Sequence, residues 1–396
     1  MGSYYSDISS AEALVVGAGF AGATIARELA ERGDMKVALI DSRDHIGGNA
    51  YDHLDEQGVL IHAYGPHIFH TDSARVYDYL SRFTSWNGYS HQVLASIHNK
   101  LINVPFNLNS ISASFAEDKA EVLTKALLQT YPLGTKVGIL ELRQQPEQLL
   151  QELADYVYNK VFLHYTMKQW GLTPEQIDPA VTARVPVLVD YDNRYFQDSW
   201  QGLPLLGYTA LFEKLLDHPN ISLFLGVAAQ DVLKLATEAQ KIQSIYIAGQ
   251  PYAGLVIYTG ALDELLDWRF GILPYRSLEF QYLHYPKPRV QAAGTINYTV
   301  SESYTRTTEY SWLTGQEIAV STVAEEYPQA FTDPQTQIPY YPIITEDNHA
   351  AYQRYLNLLE ALPNLYVLGR LAEYRYYNID QIVLRALELA DQILAG

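Results

Sequence analysis

Three glycines near the N-terminus have the spacing of a phosphate-binding turn. Gly17, Gly19 and Gly22 follow a short apolar run and open a stretch with helical periodicity. In such a turn the first glycine permits the tight bend, the second lets a pyrophosphate approach the backbone, and the third lets helix and strand pack closely. A second predicted strand, residues 36–40, ends at Asp41, whose carboxylate can accept hydrogen bonds from ribose hydroxyls. The spacing therefore predicts a dinucleotide site in a βαβ unit.

The residues after Asp41 indicate which dinucleotide binds. Arg43 is followed by the pair Gly47-Gly48, and this segment resembles the Arg-x-x-x-Gly-Gly extension of the flavoprotein class that includes the amine oxidases. Plain NAD dehydrogenases lack that extension. Asn49 stands where the class usually has a second arginine. The expected cofactor is therefore FAD.

The C-terminal end of the chain is expected to complete the same unit. An apolar run over 365–368 ends at Gly369-Arg370, and residues 379–394 have an amphipathic helical pattern that opens at Asn378. A helix N-terminus carries about half a positive charge. Placed against the pyrimidine edge of a flavin, it would favour the anionic reduced form, so we expect a flavin that stays reduced.

The elements that must position these residues predict a mixed α/β fold. We expect a Rossmann-like FAD-binding domain, an inserted helical domain with helices over 116–130 and 146–169, and an antiparallel β-sheet domain that binds the substrate and carries a mobile lid at about 176–196. The FAD-binding domain would comprise 1–90, 205–265 and 345–396, the helical domain 106–170, and the sheet domain 91–105, 171–204 and 266–344. Residues 1–10 are small and polar, and we predict no helix or strand from them.

The composition excludes several kinds of chemistry. The chain has no cysteine, which excludes disulfides, thiolate metal sites, iron–sulfur clusters and cysteine nucleophiles. A net charge of −18 argues against a nucleic-acid partner. No apolar run reaches the roughly 18 to 20 residues of a membrane span, so we expect a soluble, cytoplasmic protein without membrane insertion.

Three groups of polar residues are interpreted as neither a metal site nor a catalytic pair of carboxylates. His62, His67 and His70 could suggest a metal site, but they lie around a glycine-proline turn with no patterned carboxylate ligand, so we expect no metal. The acidic pairs Glu325-Glu326 and Asp190/Asp192 are interpreted as solvated faces or hinge polarity.

Segments along almost the whole chain resemble bacterial UDP-galactopyranose mutases. The loop Tyr64-Gly65-Pro66-His67-Ile68-Phe69-His70-Thr71 is the most specific, because flavoproteins in general lack it. The other similar segments, in the same order, are 165–172, 191–196, 304–306, 338–342, 369–371 and 374–376.

This resemblance implies an isomerase that interconverts UDP-galactopyranose and UDP-galactofuranose. The family's reaction passes through a covalent adduct between N5 of reduced flavin and the anomeric carbon, with no net oxidation. The residues agree with this, because the chain has a single Gly-x-Gly-x-x-Gly motif and neither a cysteine nor a Gly-x-Ser-x-Gly elbow to supply a nucleophile. NAD(P)H or a chemical reductant would be the external electron source, and the family implies a homodimer.

The resemblance also implies roles for individual residues. Two arginines would bind the diphosphate, because arginine stays charged and binds phosphate oxygens bidentately. Tyrosines would donate further hydrogen bonds to the phosphates, and two aromatic side chains would lie beside the uridine. The expected diphosphate residues are Arg184, Arg306, Tyr195, Tyr341 and Tyr376, and the uridine residues are Tyr165 and Trp170.

Two further residues complete the expected site. His67 would hydrogen-bond near flavin N5, and Asn378 stands where the family usually has aspartate, so it would bind without a negative charge. The residues expected to contact FAD are Gly17, Gly19, Phe20, Gly22, Asp41, Ser42, Arg43, Gly48, Asn49, Tyr64, Gly65, His67, Ile68, Gly260, Gly369, Arg370, Tyr376, Asn378 and Ile379.

Two other functions stay open at this point. A flavin-dependent oxidase or dehydrogenase of the amine oxidase class would use the same scaffold with net turnover of reducing equivalents. A non-catalytic module that binds flavin or a UDP-sugar would show no dependence on the redox state.

Overall fold

Five parallel strands form the sheet that carries the glycine motif. In the computed structural model, which describes residues 3–97, 100–171, 186–238, 241–300 and 302–395, the strand order is Ile221–Leu225, Val37–Asp41, Ala13–Val16, Leu255–Tyr258 and Leu365–Val367. The strands Ala13–Val16 and Val37–Asp41 are buried along their whole length. A parallel sheet is normally covered on both faces, which explains why these strands are continuously apolar.

Alternate residues of the central strand face two separate cores. Ala13 and Val15 pack against the helices Phe20–Glu31, Tyr208–Leu216 and Ile379–Ala395. Leu14 and Val16 point to the opposite face, because side chains alternate along a strand, and they pack with residues of the helix Glu346–Leu356 and of the small antiparallel sheet Leu233–Glu238, Lys241–Ile247 and Gln250–Pro251. The predicted α/β fold class is confirmed.

A second, seven-stranded sheet stands beside the first. Its order is Tyr341–Pro342, Tyr275–Tyr285, Ser321–Ala330, Arg306–Glu309, Thr295–Tyr298, Val93–Ile97 and Lys100–Val104. All neighbouring pairs are antiparallel except Val93–Ile97 with Thr295–Tyr298, which are parallel. Two of its registers matter for the site, because they place Arg306 opposite Glu326 and Arg276 opposite Tyr341.

A helical cluster is attached to the edge of this sheet. Its helices are Leu108–Ser114, Glu117–Thr130, Ile139–Arg143, Gln148–Val157 and Leu163–Trp170. The segment 146–169, expected to be helical, is helical from Gln148, with the π-helical segment Tyr158–Phe162 between its two α-helices. The predicted division of the chain into three domains stays a prediction.

Shorter elements connect these layers. They are the helices Ala74–Ser81, Ala229–Val232, Leu262–Leu265 and Tyr310–Thr314, the 3-10 turns Gly48–Ala50 and Asn357–Leu359, and the paired strands Asp52–Leu54 with Leu60–His62, Phe69–Thr71 with Trp200–Gly202, and Phe106–Asn107 with Val187–Leu188 and Lys136–Val137.

The N-terminal residues differ from the sequence expectation. Ser3–Ser10 form a helix, and Ile8 is fully buried in the core on the second face of the parallel sheet. The sequence analysis predicted no element here, so this helix was missed. Within the described ranges, no helix is both long enough and apolar enough to cross a membrane.

Candidate active site

A cleft lined by glycines opens at the carboxyl end of the central parallel strand. Gly17 adopts a φ of 103°, which a side chain would strain. A Cβ at Gly22 would lie 1.8 Å from the carbonyl oxygen of Gly17, and a Cβ at Gly48 would lie 2.9 Å from Cα of Gly19. Two backbone segments thus meet with no room for a side chain. The glycines predicted from spacing are required by the geometry.

The acidic residue at the end of the second strand is held by backbone donors. Oδ2 of Asp41 accepts from the N–H of Ala18 at 2.7 Å, and Oδ1 accepts from the N–H of Arg43 at 2.9 Å. These bonds fix the carboxylate at the edge of the glycine-lined cleft. It stands where the ribose of a dinucleotide would lie.

Most of the residues expected to contact FAD line this one cleft. They are Gly17, Gly19, Phe20, Asp41, Ser42, Arg43, Gly48, Asn49, His67, Gly260, Gly369, Arg370, Asn378 and Ile379. Gly22 lies behind the turn, against Gly17, so its role is packing rather than lining. Tyr64, Gly65, Ile68 and Tyr376 line the adjoining cavity instead.

The walls of the cleft offer positive charge to a cofactor. The helix Ile379–Ala395 begins there, and the N–H of Ile382 bonds to the carbonyl of Asn378 at 3.1 Å. Arg43 lies over the ring of Tyr64 at 4.3 Å and donates to Asn49 Oδ1 at 2.9 Å. Its Nη1 is buried without a partner among the described residues. A dinucleotide fits this set of groups, which comprises the glycine turn, the carboxylate of Asp41, the N-terminus of the helix Ile379–Ala395 and Nη1 of Arg43.

A second cavity, rich in tyrosine, adjoins the cleft. Of the residues expected at the substrate, it brings together Tyr165, Tyr195, Arg306, Tyr341, Tyr376 and Asn378. The rings of Tyr341 and Tyr376 are nearly parallel at 5.9 Å, and the guanidinium of Arg370 lies 5.2 Å and 4.8 Å from their respective centroids. These side chains supply hydroxyl donors and one more cation, which suits an anionic ligand.

Arg306 is held by a carboxylate that the sequence reading misinterpreted. Glu326 accepts from Nε of Arg306 at 2.8 Å and from Nη2 at 2.7 Å. Glu326 is 1% exposed, so the interpretation of Glu325-Glu326 as a solvated face was wrong for Glu326. Since the two residues lie directly opposite each other on paired strands, the carboxylate orients the guanidinium toward the tyrosine-rich cavity.

The histidines near the cleft are held by specific bonds in the loop 62–70. Nδ1 of His62 accepts from the N–H of His67 at 3.0 Å, and Nδ1 of His67 pairs with the carbonyl of Gly65 at 2.9 Å. Burial lowers the pKa of both imidazoles to about 3, so each is neutral at physiological pH. Neither can act there as a cationic acid, although His67 can still hydrogen-bond to a ligand.

His70 has a different environment. Its ring stacks on Phe196 at 3.6 Å, and its Nδ1 lies 3.2 Å from Oδ1 of Asp198, a contact that lowers the pKa of the Asp198 carboxyl. Within the described parts of the chain, no group of histidines and acids has the arrangement of a metal site.

The cleft and the cavity share one wall. Asn49, His67, Tyr340, Arg370, Asn378 and Ile379 line both. A ligand in the cavity would therefore touch the end of a dinucleotide in the cleft that lies beside the helix start at Asn378.

Sequence reasoning missed several lining residues. Glu326, His91 and Tyr340 line the site but were not predicted. For Tyr340 a signal existed, because it belongs to the segment 338–342 that resembles the mutases. Arg184 and the side chain of Trp170 lie outside the described residues, as do residues 176–185 of the predicted lid.

Comparison with known proteins agrees with this geometry. A model of the UDP-galactopyranose mutase family matches residues 160–376, and one of the NAD(P)-binding Rossmann-like domain matches 15–83. The chain is 36% identical over 388 residues to the UDP-galactopyranose mutase of Mycoplasma pneumoniae, which covers 96% of each chain. It is 34% identical over 382 residues to the dTDP-fucopyranose mutase of Escherichia coli, covering 95% of this chain and 97% of that one.

A solved structure has the same fold. The crystal structure of a reduced UDP-galactopyranose mutase matches with a TM-score of 0.72 and 15% identity, over 98% of this chain and 94% of that one. The predicted Rossmann-like domain and the predicted isomerase class are confirmed. Because the sequence match runs along almost the whole chain, the resemblance is also confirmed: the chain belongs to the UDP-galactopyranose mutase family.

Proposed function

We propose that this protein binds FAD and, with the flavin reduced, interconverts UDP-galactopyranose and UDP-galactofuranose. The observation that carries the proposal is the wall shared by the glycine-lined cleft and the tyrosine-rich cavity. It lets a sugar nucleotide in the cavity meet the flavin end of a dinucleotide in the cleft. Relatives named for this activity at 36% identity support the same substrate.

The protein's own groups would first bind the diphosphate. Arg306 supplies a fixed cation whose direction is set by Glu326, and Tyr195, Tyr341 and Tyr376 offer hydroxyl groups in the same cavity. Charge near the diphosphate stabilises UDP as it leaves with the electron pair of the anomeric bond. Tyrosines add donors without adding charge beside the sugar.

The nucleophile is proposed to come from the cofactor. Among the described residues that line the cavity there is no cysteine, serine or lysine. When bound and reduced, FAD would supply at N5 the electron pair for a covalent bond to the anomeric carbon, so that UDP departs and returns without net oxidation. The helix N-terminus at Asn378 would favour the negative charge of reduced flavin, and the neutral imidazole of His67 would hydrogen-bond beside it.

The proposal is tested with sugar nucleotides and a defined redox state. The purified holoprotein, reduced with dithionite, is given UDP-galactofuranose, and the products are separated by chromatography beside an oxidised control. We expect UDP-galactopyranose from the reduced protein only, with the flavin still reduced at the end. Stoichiometric flavin reoxidation by the substrate would favour an oxidase or dehydrogenase, and conversion independent of redox state would refute a role for reduced flavin.

A parallel arm tests the choice of sugar nucleotide. Because one relative is named a dTDP-fucopyranose mutase, dTDP-fucopyranose is assayed at the same concentrations. We expect the larger kcat/KM with the UDP-galactose pair. The reverse order would overturn the substrate assignment while leaving the isomerase class intact.

Two arginine variants test the diphosphate site. We expect Arg306→Ala and Arg184→Ala to retain FAD and to lose turnover, because each removes a cation that stabilises the leaving UDP. Arg354→Ala is the matched control, since Arg354 lies over Phe270 on another part of the surface. Near-normal turnover in either site variant would remove that arginine from the proposed site.

A further inference from the structure

Lys168 makes an unusual set of bonds close to the tyrosine-rich cavity. Its ammonium donates to three main-chain carbonyls, those of Tyr298 at 2.5 Å, Glu302 at 3.1 Å and Tyr304 at 3.3 Å. An ammonium has three N–H donors, so this arrangement can use all of them on one segment. The side chain is partly buried, and it therefore acts on this segment rather than on solvent.

The segment that Lys168 holds leads directly to Arg306. Tyr298 ends one strand of the seven-stranded sheet, and Arg306 begins the next. The N–H of Tyr298 bonds to the carbonyl of Thr305 at 2.9 Å, which closes the connection just before Arg306. Lys168 therefore binds the backbone of the segment just before Arg306, and Glu326 binds the guanidinium of Arg306 itself.

The helix that carries Lys168 also carries Tyr165. The two residues are three apart on Leu163–Trp170, so their side chains leave neighbouring positions on the helix surface. Tyr165 lines the cavity, whereas Lys168 reaches the turn before Arg306. Through the side chain of Lys168, the helix that carries Tyr165 is therefore bonded to the segment that precedes Arg306.

A second cation fixes the end of this helix. Arg276, which is buried, donates from Nε to the carbonyl of Gln169 at 2.9 Å and from Nη2 to that of Lys168 at 3.3 Å. A cation at a helix C-terminus is favourable, because the last carbonyls lack helical partners. Arg276 also lies opposite Tyr341 in the sheet, so the helix is tied to the strand that carries a third cavity residue.

We propose that Lys168 is a positioning residue, which sets the distance between Arg306 and Tyr165 and so preforms the site for the diphosphate and nucleoside of the substrate. This inference rests on the proposed function, in which both residues contact the sugar nucleotide. Lys168 itself is not among the residues that line the cavity. Its effect passes through the carbonyls of Tyr298, Glu302 and Tyr304.

The test measures the binding of UDP to reduced holoprotein, together with kcat and KM. Lys168→Met keeps the length of the side chain and removes the donors, Lys168→Arg keeps charge and donors, and Lys160→Met is the control, because Lys160 is exposed on the preceding segment. Hydrogen bonds from a charged group stabilise more than bonds between neutral groups, and Lys168→Met loses all three that hold the segment before Arg306. We therefore expect the UDP Kd of Lys168→Met to rise about tenfold or more. We expect Lys168→Arg to recover part of that loss.

The turn has other support, so the variants should fold. Tyr298 and Tyr304 pack edge to face at 4.8 Å, and the antiparallel pairing on either side does not involve Lys168. We therefore expect flavin content and melting temperature close to those of Lys160→Met. If Lys168→Met loses its flavin, Lys168→Gln, which keeps two N–H donors, is measured in its place with the same expected direction.

The outcomes separate this inference from the proposed function. If the unmodified protein binds UDP and Lys168→Met binds it equally well, the positioning role is refuted and the proposed function stands. If Lys168→Arg loses as much affinity as Lys168→Met, the carbonyl bonds are not the cause and the inference also falls. Failure of the unmodified protein to bind UDP would overturn the proposed function and this inference with it.

Discussion

Gly48→Ala is the sharpest test of the glycine-lined cleft, because the chain offers a matched control. Gly48 has a φ of 56° and Gly58 a φ of 80°, so alanine is strained in the left-handed region at both positions. They differ in surroundings. A Cβ at Gly48 would lie 2.9 Å from Cα of Gly19, whereas at Gly58 no atom lies within 4 Å. The difference between the two variants therefore measures the effect of the contact with Gly19, separately from the cost of backbone strain that both share.

The size of the effect follows from that contact. A left-handed alanine costs roughly 1–2 kcal/mol in each variant. At Gly48 the backbones must also separate, since carbon atoms normally stay about 3.5 Å or more apart, and overpacking of this kind costs about 1–3 kcal/mol. The turn can move away when the cleft is empty, but binding needs both backbones in place. The additional cost therefore falls on binding, and about 2 kcal/mol raises the FAD Kd roughly thirtyfold.

The assay compares apoproteins prepared by removing the cofactor. Each apoprotein is titrated with FAD, and the quenching of flavin fluorescence gives the Kd. Thermal unfolding of the apoproteins gives the loss of stability from backbone strain, which both variants share. We expect Gly58→Ala to bind FAD like the unmodified protein. A Kd for Gly48→Ala within about threefold of that of Gly58→Ala would refute the reasoning, because a threefold change is less than 1 kcal/mol.

Two further predictions concern buried polar groups. Glu326→Gln should keep the flavin but lower kcat/KM by about tenfold or more. The neutral amide no longer compensates the charge of Arg306, and its NH2 group would face the N–H donors of the guanidinium. An unchanged kcat/KM would show that other contacts orient Arg306. His62 has a folded-state pKa of about 3 against an ordinary 6.5, so the unfolded chain binds an extra proton between these values and stability falls as the pH drops below about 6.5. His62→Gln should flatten that fall by about 1.4 kcal/mol per pH unit between pH 6 and 4, measured by urea unfolding, and identical acid profiles would contradict the buried neutral imidazole.

The nucleotide unit could be predicted from the sequence because its determinants are local. Gly17, Gly19 and Gly22 act within one turn, and Asp41 follows the next strand. Their required conformations and close contacts leave few other residue types possible. The helix start at Asn378 could be predicted for the same reason, since a run of apolar residues with helical spacing marks it.

The partner of Arg306 could not be predicted in this way. Glu326 comes twenty residues later in the chain, and only the register of two antiparallel strands brings them together. An acidic pair has the same appearance in sequence whether it faces water or a buried arginine. The π-helical segment Tyr158–Phe162 was also missed, because the apolar positions over 146–169 continue through it and indicate a helix without showing its hydrogen-bond spacing.

The wall shared by the cleft and the cavity has a thermodynamic consequence. Six residues line both, namely Asn49, His67, Tyr340, Arg370, Asn378 and Ile379. A ligand that shifts any of them in one site would change the affinity of the other site for its ligand. Such coupling is reciprocal. A sugar nucleotide that binds ten times more tightly to one redox state of the cofactor shifts the two-electron midpoint potential by about 30 mV toward that state. Substrate concentration would thus help to set how easily the cofactor is reduced.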